Sequence, residues 1–270
     1  IDSAVNTEEL GSYRAGPERF KNYIKEGKNG YRKAAYSAYR ERSIGLGAMG
    51  FHSYLQSNNI PFEGIYASSF NHRAFGLLKR KSEEASIKLG TERGEAPDML
   101  GSGRRNAHLL AVAPNASSSI ILTGSYKVRN RHLETLLKLK NKNTEEMWKD
   151  IAAEQGSVQH LDFLSDDEKE VFKTAPEINQ IWVIEHAHHR QKYICQSQSV
   201  NLFFSPPKAT EPQEVHDEFL QYVNDVHWAG VKNLKSLYYL RSEAARNTEN
   251  VNIRIPRINL SDVECLACEG

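Results

Sequence analysis

The chain has 270 residues, of which 39% are hydrophobic, so it can bury a substantial core as one large domain or two small ones. Its formal net charge is +1, with acidic and basic residues interspersed, which argues against nucleic-acid and membrane partners. No apolar run reaches the roughly 18 residues that cross a bilayer. Three cysteines suit a reducing cytosol better than a secreted disulfide scaffold, so we expect a cytoplasmic protein.

Periodic apolar residues predict helices through most of the chain. The helical patterns cover residues 18–42, 67–89, 130–140, 144–153, 166–174, 177–193 and 212–230. Buried strands are predicted at His108–Ala113, Ser199–Phe204 and Leu234–Leu240. This order predicts an α/β fold, but three strands are few for the length. The opening at Ile1 is typical of the middle of a protein, so we expect part of a larger sheet or barrel.

Two of these helices have an apolar stripe along one side. In the helix over 67–89, the stripe consists of Phe70, Ala74, Leu77 and Leu78. In the helix over 212–230, it consists of Val215, Phe219, Tyr222 and Val226, at i, i+4, i+7 and i+11. A globular helix normally turns such a stripe toward the core.

The segment Gly45-Leu-Gly47-Ala-Met-Gly50 matches the GxGxxG pattern of dinucleotide-binding loops. That function requires a buried strand directly before the first glycine, but a charged, helical segment precedes it here. We therefore interpret these glycines as positions where two backbone segments pack closely at a turn.

The sequence also contains three histidines close together and one mid-chain cysteine, which are potential metal ligands. Of His186, His188 and His189, only the first and last share a helix face, so we expect a solvated helix face and no metal site. Cys195, the one cysteine in mid-chain, is expected to be a packed thiol, because a free cysteine usually behaves as a small hydrophobe.

A hydroxyl-rich turn follows the first predicted strand. It contains Pro114, Asn115, Ala116, Ser117 and Ser118. Backbone N–H groups and hydroxyls at such a turn can converge on one anion, and phosphate would suit them. Serine and asparagine are equally favoured as ordinary helix N-caps, so the pattern leaves both interpretations open.

Tyr238 and Tyr239 lie in the third predicted strand. Successive residues of a regular strand point to opposite faces, which would leave one tyrosine in the core and the other outside. A redox-active phenol pair would require a local distortion that brings both rings together.

The chain ends in a dithiol, Cys265-Leu-Ala-Cys268, on a polar segment that begins after Ala245. A flexible tether of roughly 20 residues has an r.m.s. reach of about 25 Å, so the dithiol can travel. It can carry reducing equivalents between a buried site and an outside reductant by thiol–disulfide exchange. The alternative is a pair of idle thiols on a frayed terminus.

Five segments spread over nearly the whole chain carry a resemblance to one family. They are Arg42–Gly50, Arg105–Pro114, Gln196–Phe203, Leu237–Leu240 and the Cys265/Cys268 end. In this order they resemble the C-terminal part of the large, catalytic subunit of class I ribonucleotide reductase, especially its phage and bacterial forms. The resemblance implies the C-terminal half of a ten-stranded α/β barrel with flanking helices over residues 1–245. Residues 246–270 would be a flexible, redox-active tail.

The resemblance also implies roles for the motifs. The turn from Pro114 to Ser118 would bind the diphosphate of a ribonucleoside diphosphate substrate. The pair Tyr238 and Tyr239 would relay an oxidising equivalent from a tyrosyl radical, held with a di-iron centre on a partner small subunit. The tail dithiol would re-reduce the active-site disulfide and would itself be reduced by thioredoxin or glutaredoxin. This chain would bind no cofactor itself, and it would work in the cytoplasm, or in the host cytoplasm if a phage encodes it.

The chain departs from the family pattern in two ways. It lacks the Asn-x-Cys-x-Glu loop and the separate active-site cysteine pair, so the resemblance implies that it needs the N-terminal half of the large subunit. It also lacks the family's Ser-Ile-Glu-Pro loop after Ile121. One rival hypothesis is therefore a degenerate, non-catalytic fragment that binds the small subunit or a redox partner. Another is a stand-alone thiol oxidoreductase.

Overall fold

The fold is described by a computed structural model that covers residues 32–115, 129–204 and 211–242. Its helices are α1 (Arg32–Glu41), α2 (Phe51–Ser57), α3 (Ile65–Arg93), α4 (Arg131–Leu139), α5 (Glu145–Ala153), α6 (Asp166–Val171), α7 (Gln180–Gln191) and α8 (Pro212–Val231). Its strands are β1 (Leu202–Phe204) and β2 (Leu240–Ser242). None of the helices in these ranges is long and apolar enough to cross a membrane. The tail over 246–270 lies outside the described residues.

Local sequence accounts for where several helices begin. The Asn130 side chain accepts hydrogen bonds from the N–H groups of the first turn of α4, and Thr144 does the same for α5. Ser165 and Glu168 form a reciprocal capping box at the start of α6. Each cap satisfies N–H groups that have no partner within the helix, typically worth about 1 kcal/mol. The helix predicted over 18–42 is confirmed over Arg32–Glu41, and residues 18–31 lie outside the described ranges. The other predicted helices are confirmed with ends shifted by a few residues, whereas α2 was not predicted.

The extended segments pair in parallel, in chain order. Ile44 donates its N–H to the carbonyl of His108 (3.0 Å), and Leu46 forms an isolated bridge with Leu110. Val112 then bridges to Gln198. The strands β1 and β2 complete the series in parallel register. Parallel segments joined by helices confirm the α/β class, while the ten-stranded barrel remains an expectation.

Two of the predicted strands differ from the structure. His108–Ala113 forms isolated bridges at Leu110 and Val112 rather than a full strand, because its backbone hydrogen bonds are shared between the segments on its two sides. The predicted strand Leu234–Leu240 is wrong in its bounds, since β2 begins at Leu240 and the residues before it are irregular. The apolar run correctly located a segment beside β1, but the pairing partner set where regular strand geometry begins.

The glycine motif packs two backbone segments together, as predicted. A Cβ atom on Gly47 would lie 2.7 Å from the carbonyl oxygen of Ala111, and one on Gly45 would lie 3.2 Å from the Ala111 side chain. Real Cβ atoms essentially never approach a backbone oxygen so closely. Gly50, just before α2, has φ of +80°, which glycine adopts without strain.

Three hydrophobic clusters hold these elements. The first joins α4, α5, α6 and their connections around Leu137 and Val158. The second packs Ile184 of α7 and Ala229 of α8 against Leu202 and Phe204 of β1. The third packs Phe75 of α3 against the residues that begin the parallel segments.

The apolar stripes of α3 and α8 are covered only in part, since Leu78 packs against the third cluster and Tyr222 against the second. In α3, Leu77 is 48% exposed, while the buried face consists largely of small and polar residues such as Asn71, Ser86 and Gly90. In α8, Phe219 is 54% exposed, and the buried residues are Asp225 and Ala229. The apolar stripes identify helices correctly, but the neighbours decide which face is covered.

Asp225 is a buried carboxyl group at the covered face of α8, 6% exposed, and burial raises its pKa. The Gln221 amide donates a hydrogen bond to it at 2.7 Å, which opposes the rise only in part. The pKa of Asp225 is higher in the folded state than in the unfolded state. Raising the pH through the range between these two pKa values therefore destabilises the fold, and the cost persists at neutral pH. Asp225→Asn keeps an acceptor for Gln221 and removes the charge. We expect it to raise the free energy of unfolding by about 1 kcal/mol at pH 7.

Urea unfolding at pH 7 and near pH 3 measures this effect. The gain should disappear at the lower pH, where the wild-type carboxyl is protonated in both states. Asp217→Asn is the matched control, because this carboxylate of the same helix is 62% exposed, and it should change stability by less than about 0.5 kcal/mol. An Asp225→Asn protein no more stable than wild type at pH 7 contradicts the prediction.

Candidate functional site

The two tyrosine rings are in contact. The ring centroids of Tyr238 and Tyr239 lie 4.1 Å apart, with an angle of 52° between the ring planes. Both residues lie in the irregular segment immediately before β2, so they escape the alternation of a regular strand. The local backbone distortion that a phenol pair requires is therefore present at these two residues.

Backbone hydrogen bonds hold the pair beside β1. Tyr238 donates its N–H to the carbonyl of Val200 (2.8 Å), and the Tyr239 carbonyl accepts from the N–H of Leu202 (3.0 Å). The N–H of Tyr239 donates to the side-chain oxygen of Asn201 (3.2 Å). In a regular ladder, this N–H group would donate to a backbone carbonyl of the neighbouring segment. The Asn201 side chain accepts its hydrogen bond instead and fixes the path of the chain at the tyrosine pair.

The phenol of Tyr239 affects the ionisation of its neighbour. A hydrogen bond with the phenol of Tyr239 raises the pKa of Tyr238, so the phenol stays protonated at neutral pH. The guanidinium of Arg241 lies 5.2 Å from the centre of the Tyr239 ring, in a cation–π contact. Both side chains are about half exposed. The arrangement allows a proton and an electron to pass between neighbouring phenols.

Sequence reasoning missed Asn201 and Arg241 as partners of this pair. The signal for Arg241 was its position two residues after Tyr239. No sequence signal identified Asn201, because its hydrogen bond depends on the parallel register with the segment before β2.

The structure describes the first two residues of the hydroxyl-rich turn. Pro114 is exposed and Asn115 is partly buried, directly after the segment that bridges to Gln198 through Val112. They therefore follow the carboxyl end of a parallel segment, which is where α/β proteins bind ligands. Ala116, Ser117 and Ser118 lie outside the described residues. The tail residues Cys265 and Cys268 also lie outside them.

The turn and the tyrosine pair flank one central segment. Val112 accepts a hydrogen bond from Ser199 (2.7 Å) on one side of this segment, and Tyr238 donates to Val200 on the other side. The fold therefore brings these two predicted sites, separated by more than 120 residues, to either side of one central parallel segment.

The expectation of a solvated histidine face is wrong for His186. Its side chain is fully buried, its Nε2 lies 2.8 Å from the carbonyl oxygen of Phe62, and burial lowers its pKa to about 4. His189 contacts the hydroxyl of Ser68 through Nδ1 (3.2 Å) and Glu185 through Nε2 (3.7 Å). These histidines connect α7 to α3 and to the segment before it. Within the described ranges, no group of three or more histidine, cysteine or carboxylate side chains could hold a metal ion.

The expectation of a packed thiol is wrong for Cys195, which is exposed. Its sulfur accepts hydrogen bonds from the N–H groups of Leu109 (3.0 Å) and Leu110 (3.2 Å). The backbone of the neighbouring parallel segment, rather than an apolar core, therefore positions this sulfur.

Comparison with known proteins places these sites in a family. The model of the ribonucleotide reductase barrel domain matches residues 18–102 and 98–240. The chain is 39% identical to the ribonucleoside-diphosphate reductase large subunit of Invertebrate iridescent virus 3 over 264 residues, which cover 88% of this chain and 40% of the relative. It is 41% identical to the corresponding subunit of Invertebrate iridescent virus 6, covering 86% of this chain and 26% of the relative.

A solved structure is similar as well. The class Id ribonucleotide reductase alpha subunit of Actinobacillus ureae superposes with a TM-score of 0.72 at 40% identity, covering 84% of this chain and 44% of that subunit. The chain thus spans less than half the length of these relatives. The family match extends over most of the described fold, including the glycine motif and the tyrosine pair. This chain belongs to the ribonucleotide reductase barrel-domain family.

Proposed function

We propose that this chain forms the C-terminal portion of a ribonucleoside-diphosphate reductase large subunit. It acts together with the N-terminal half of that subunit and with a radical-generating small subunit. The observation that carries the proposal is the contact between the Tyr238 and Tyr239 rings beside β1, within a chain of this family. Four parallel segments in chain order are compatible with half of a ten-stranded barrel, whose other strands the N-terminal half supplies.

The reaction replaces the ribose 2′-hydroxyl with hydrogen. A ribonucleoside diphosphate and a dithiol give the deoxyribonucleoside diphosphate, a disulfide and water, so the two electrons come from the thiols. The thiyl radical that starts the reaction is on the N-terminal half. This chain binds the substrate diphosphate and conducts the radical, and its tail delivers the reducing equivalents.

The tyrosine pair relays the radical by coupled transfer. One phenol gives up an electron and a proton and becomes a neutral phenoxyl radical, while its neighbour, previously the radical, becomes a phenol again. The hydrogen bond that raises the pKa of Tyr238 supplies a path for the proton. The ring contact supplies the overlap for the electron. A tyrosyl radical at a di-iron centre on the small subunit is the source of the oxidising equivalent.

The turn from Pro114 to Ser118 binds the substrate diphosphate. Its first residues follow the carboxyl end of a parallel segment, where backbone N–H groups become free to bind an anion. Asn115, Ser117 and Ser118 would donate hydrogen bonds to the phosphate oxygens. The adjacent position of the tyrosine pair brings the radical path toward the same site.

A reconstitution assay tests this function. The full chain is mixed with the N-terminal half, the small subunit, a ribonucleoside diphosphate and dithiothreitol, and the deoxyribonucleoside diphosphate is measured. We expect product only when all three proteins are present. Absence of product at every stoichiometry, with the chain still binding the small subunit, supports the degenerate fragment instead. Disulfide reduction by the chain alone would support a stand-alone oxidoreductase.

The tail dithiol leads to a separate prediction about the reductant. In the reconstituted enzyme, changing Cys265 and Cys268 to serine should lower turnover with thioredoxin by at least 100-fold. Turnover with dithiothreitol should stay within about twofold of wild type, because a small dithiol reaches the buried disulfide without a carrier. Cys195→Ser is the matched control and should preserve both rates. Equal losses with both reductants would refute the shuttle role.

A further inference from the structure

A cavity with a cationic lining lies at the opposite end of the parallel segments from the hydroxyl-rich turn. Its volume is about 230 Å³, and it is formed by α3, the residues after it and the starts of two parallel segments. Leu110 is in its wall, four residues before Pro114. At about 3.3 Å per extended residue, roughly 13 Å separates this wall from the turn. The cavity is therefore a different place from the proposed substrate site.

The cavity concentrates positive charge that the described residues compensate only in part. Lys79, Arg104 and Lys192 line it, and none of them forms an ion pair with a carboxylate in the described ranges. Glu83 is the one acidic residue among those described in the lining, so the lining carries a net charge of +2. Lys235 adds a fourth cation nearby, with its ammonium 2.5 Å from the carbonyl oxygen of Cys195.

Arg104 has an unsatisfied donor in this lining. Its Nε is buried without a hydrogen-bond acceptor, while its Nη2 donates to the carbonyl of Ala107 at 3.4 Å. Leaving a buried donor unpaired costs about 1–3 kcal/mol, more for a charged group. An anion in the cavity would supply the missing acceptor, and a guanidinium binds phosphate oxygens through its planar set of donors.

We propose that this cavity binds the phosphate group of a small phosphorylated molecule. Three cationic side chains and one carboxylate share this lining, so a doubly charged phosphate would balance its net charge of +2. The volume of about 230 Å³ leaves room for a small phosphorylated group. The proposed site takes no part in the reductase reaction, so its test does not depend on the proposed function.

Cys195 can report on occupancy of the cavity, because this exposed residue is part of the lining. In a Cys265→Ser/Cys268→Ser background it is the only cysteine in the chain. Iodoacetate alkylates it by forming a carbon–sulfur bond and releasing iodide. Pyrophosphate is the probe, and sodium chloride at equal ionic strength controls for screening. We expect saturating pyrophosphate to slow alkylation at least fivefold and the chloride control to slow it less than twofold.

Two variants of α3 and its neighbours make the test specific. Lys79→Gln/Lys192→Gln should abolish the protection by pyrophosphate, whereas Lys81→Gln/Lys88→Gln, with the same loss of charge on exposed side chains of α3, should retain it. Equilibrium dialysis with labelled pyrophosphate should find one site in wild type and lose it in the first variant. Protection no greater than that by chloride, or undiminished in Lys79→Gln/Lys192→Gln, would overturn the proposal.

Discussion

Replacing either tyrosine of the pair with phenylalanine should stop ribonucleotide reduction in the reconstituted enzyme. Tyr238→Phe and Tyr239→Phe each remove one phenol oxygen and leave the ring contact in place. Phenylalanine cannot release a proton when it is oxidised, so the radical path is broken at that residue. We expect turnover to fall at least 100-fold, measured as deoxyribonucleoside diphosphate formed per small-subunit radical.

The fold should survive these changes, because both side chains are about half exposed. Surface substitutions usually change the free energy of unfolding by less than about 0.5 kcal/mol. Tyr54→Phe is the matched control, since this tyrosine is also about half exposed, with its ring stacked on Phe70 at 4.0 Å. It should keep full turnover. More than a tenth of wild-type activity in either variant of the pair would exclude the radical path proposed for it.

Gly90→Ala should have the largest effect on stability. A Cβ atom at this buried position of α3 would lie 2.1 Å from the carbonyl oxygen of Gly103 and 3.0 Å from its carbon. The contact is with backbone, which cannot rotate away, so the segment after α3 must move. That segment is held by the hydrogen bond from Arg105 N–H to the Ser86 carbonyl (3.0 Å). We expect a loss of at least about 3 kcal/mol, at the upper end for overpacking.

Gly76→Ala is the same substitution in the same helix with the opposite expected sign. Its Cβ would lie 3.5 Å from the Tyr193 ring, an ordinary van der Waals distance. Alanine is favoured over glycine inside a helix by about 0.5–1 kcal/mol, so this variant should be slightly more stable. Urea unfolding of both proteins measures the difference. Equal stability of the two variants would mean that the close approach at Gly90 does not constrain the fold.

The parallel segments show how far sequence reasoning reached with strands. The apolar runs near 108, 199 and 234 marked the chain segments that lie side by side, and the glycine motif marked where two of them approach closely. The sequence does not predict the register between segments that are distant in the chain. Shifting one segment by one residue changes which residues pair, but it leaves the apolar composition of the segment unchanged. For that reason the start of β2 and the hydrogen bond from the Tyr239 N–H to Asn201 appeared only in the structure.

The helices and the chemistry-bearing residues followed from local signals. Periodicity acts within a few residues, so it located every described α-helix except α2, and caps such as Thr144 and Ser165 fix where helices begin. Which face each helix buries depends on long-range partners. The covered face of α3 is polar because Asn71 donates to the carbonyl of His186 and Ser86 pairs with Asn106. The contact between the Tyr238 and Tyr239 rings likewise depends on an irregular backbone that pairing with β1 produces, and no local pattern encodes that distortion.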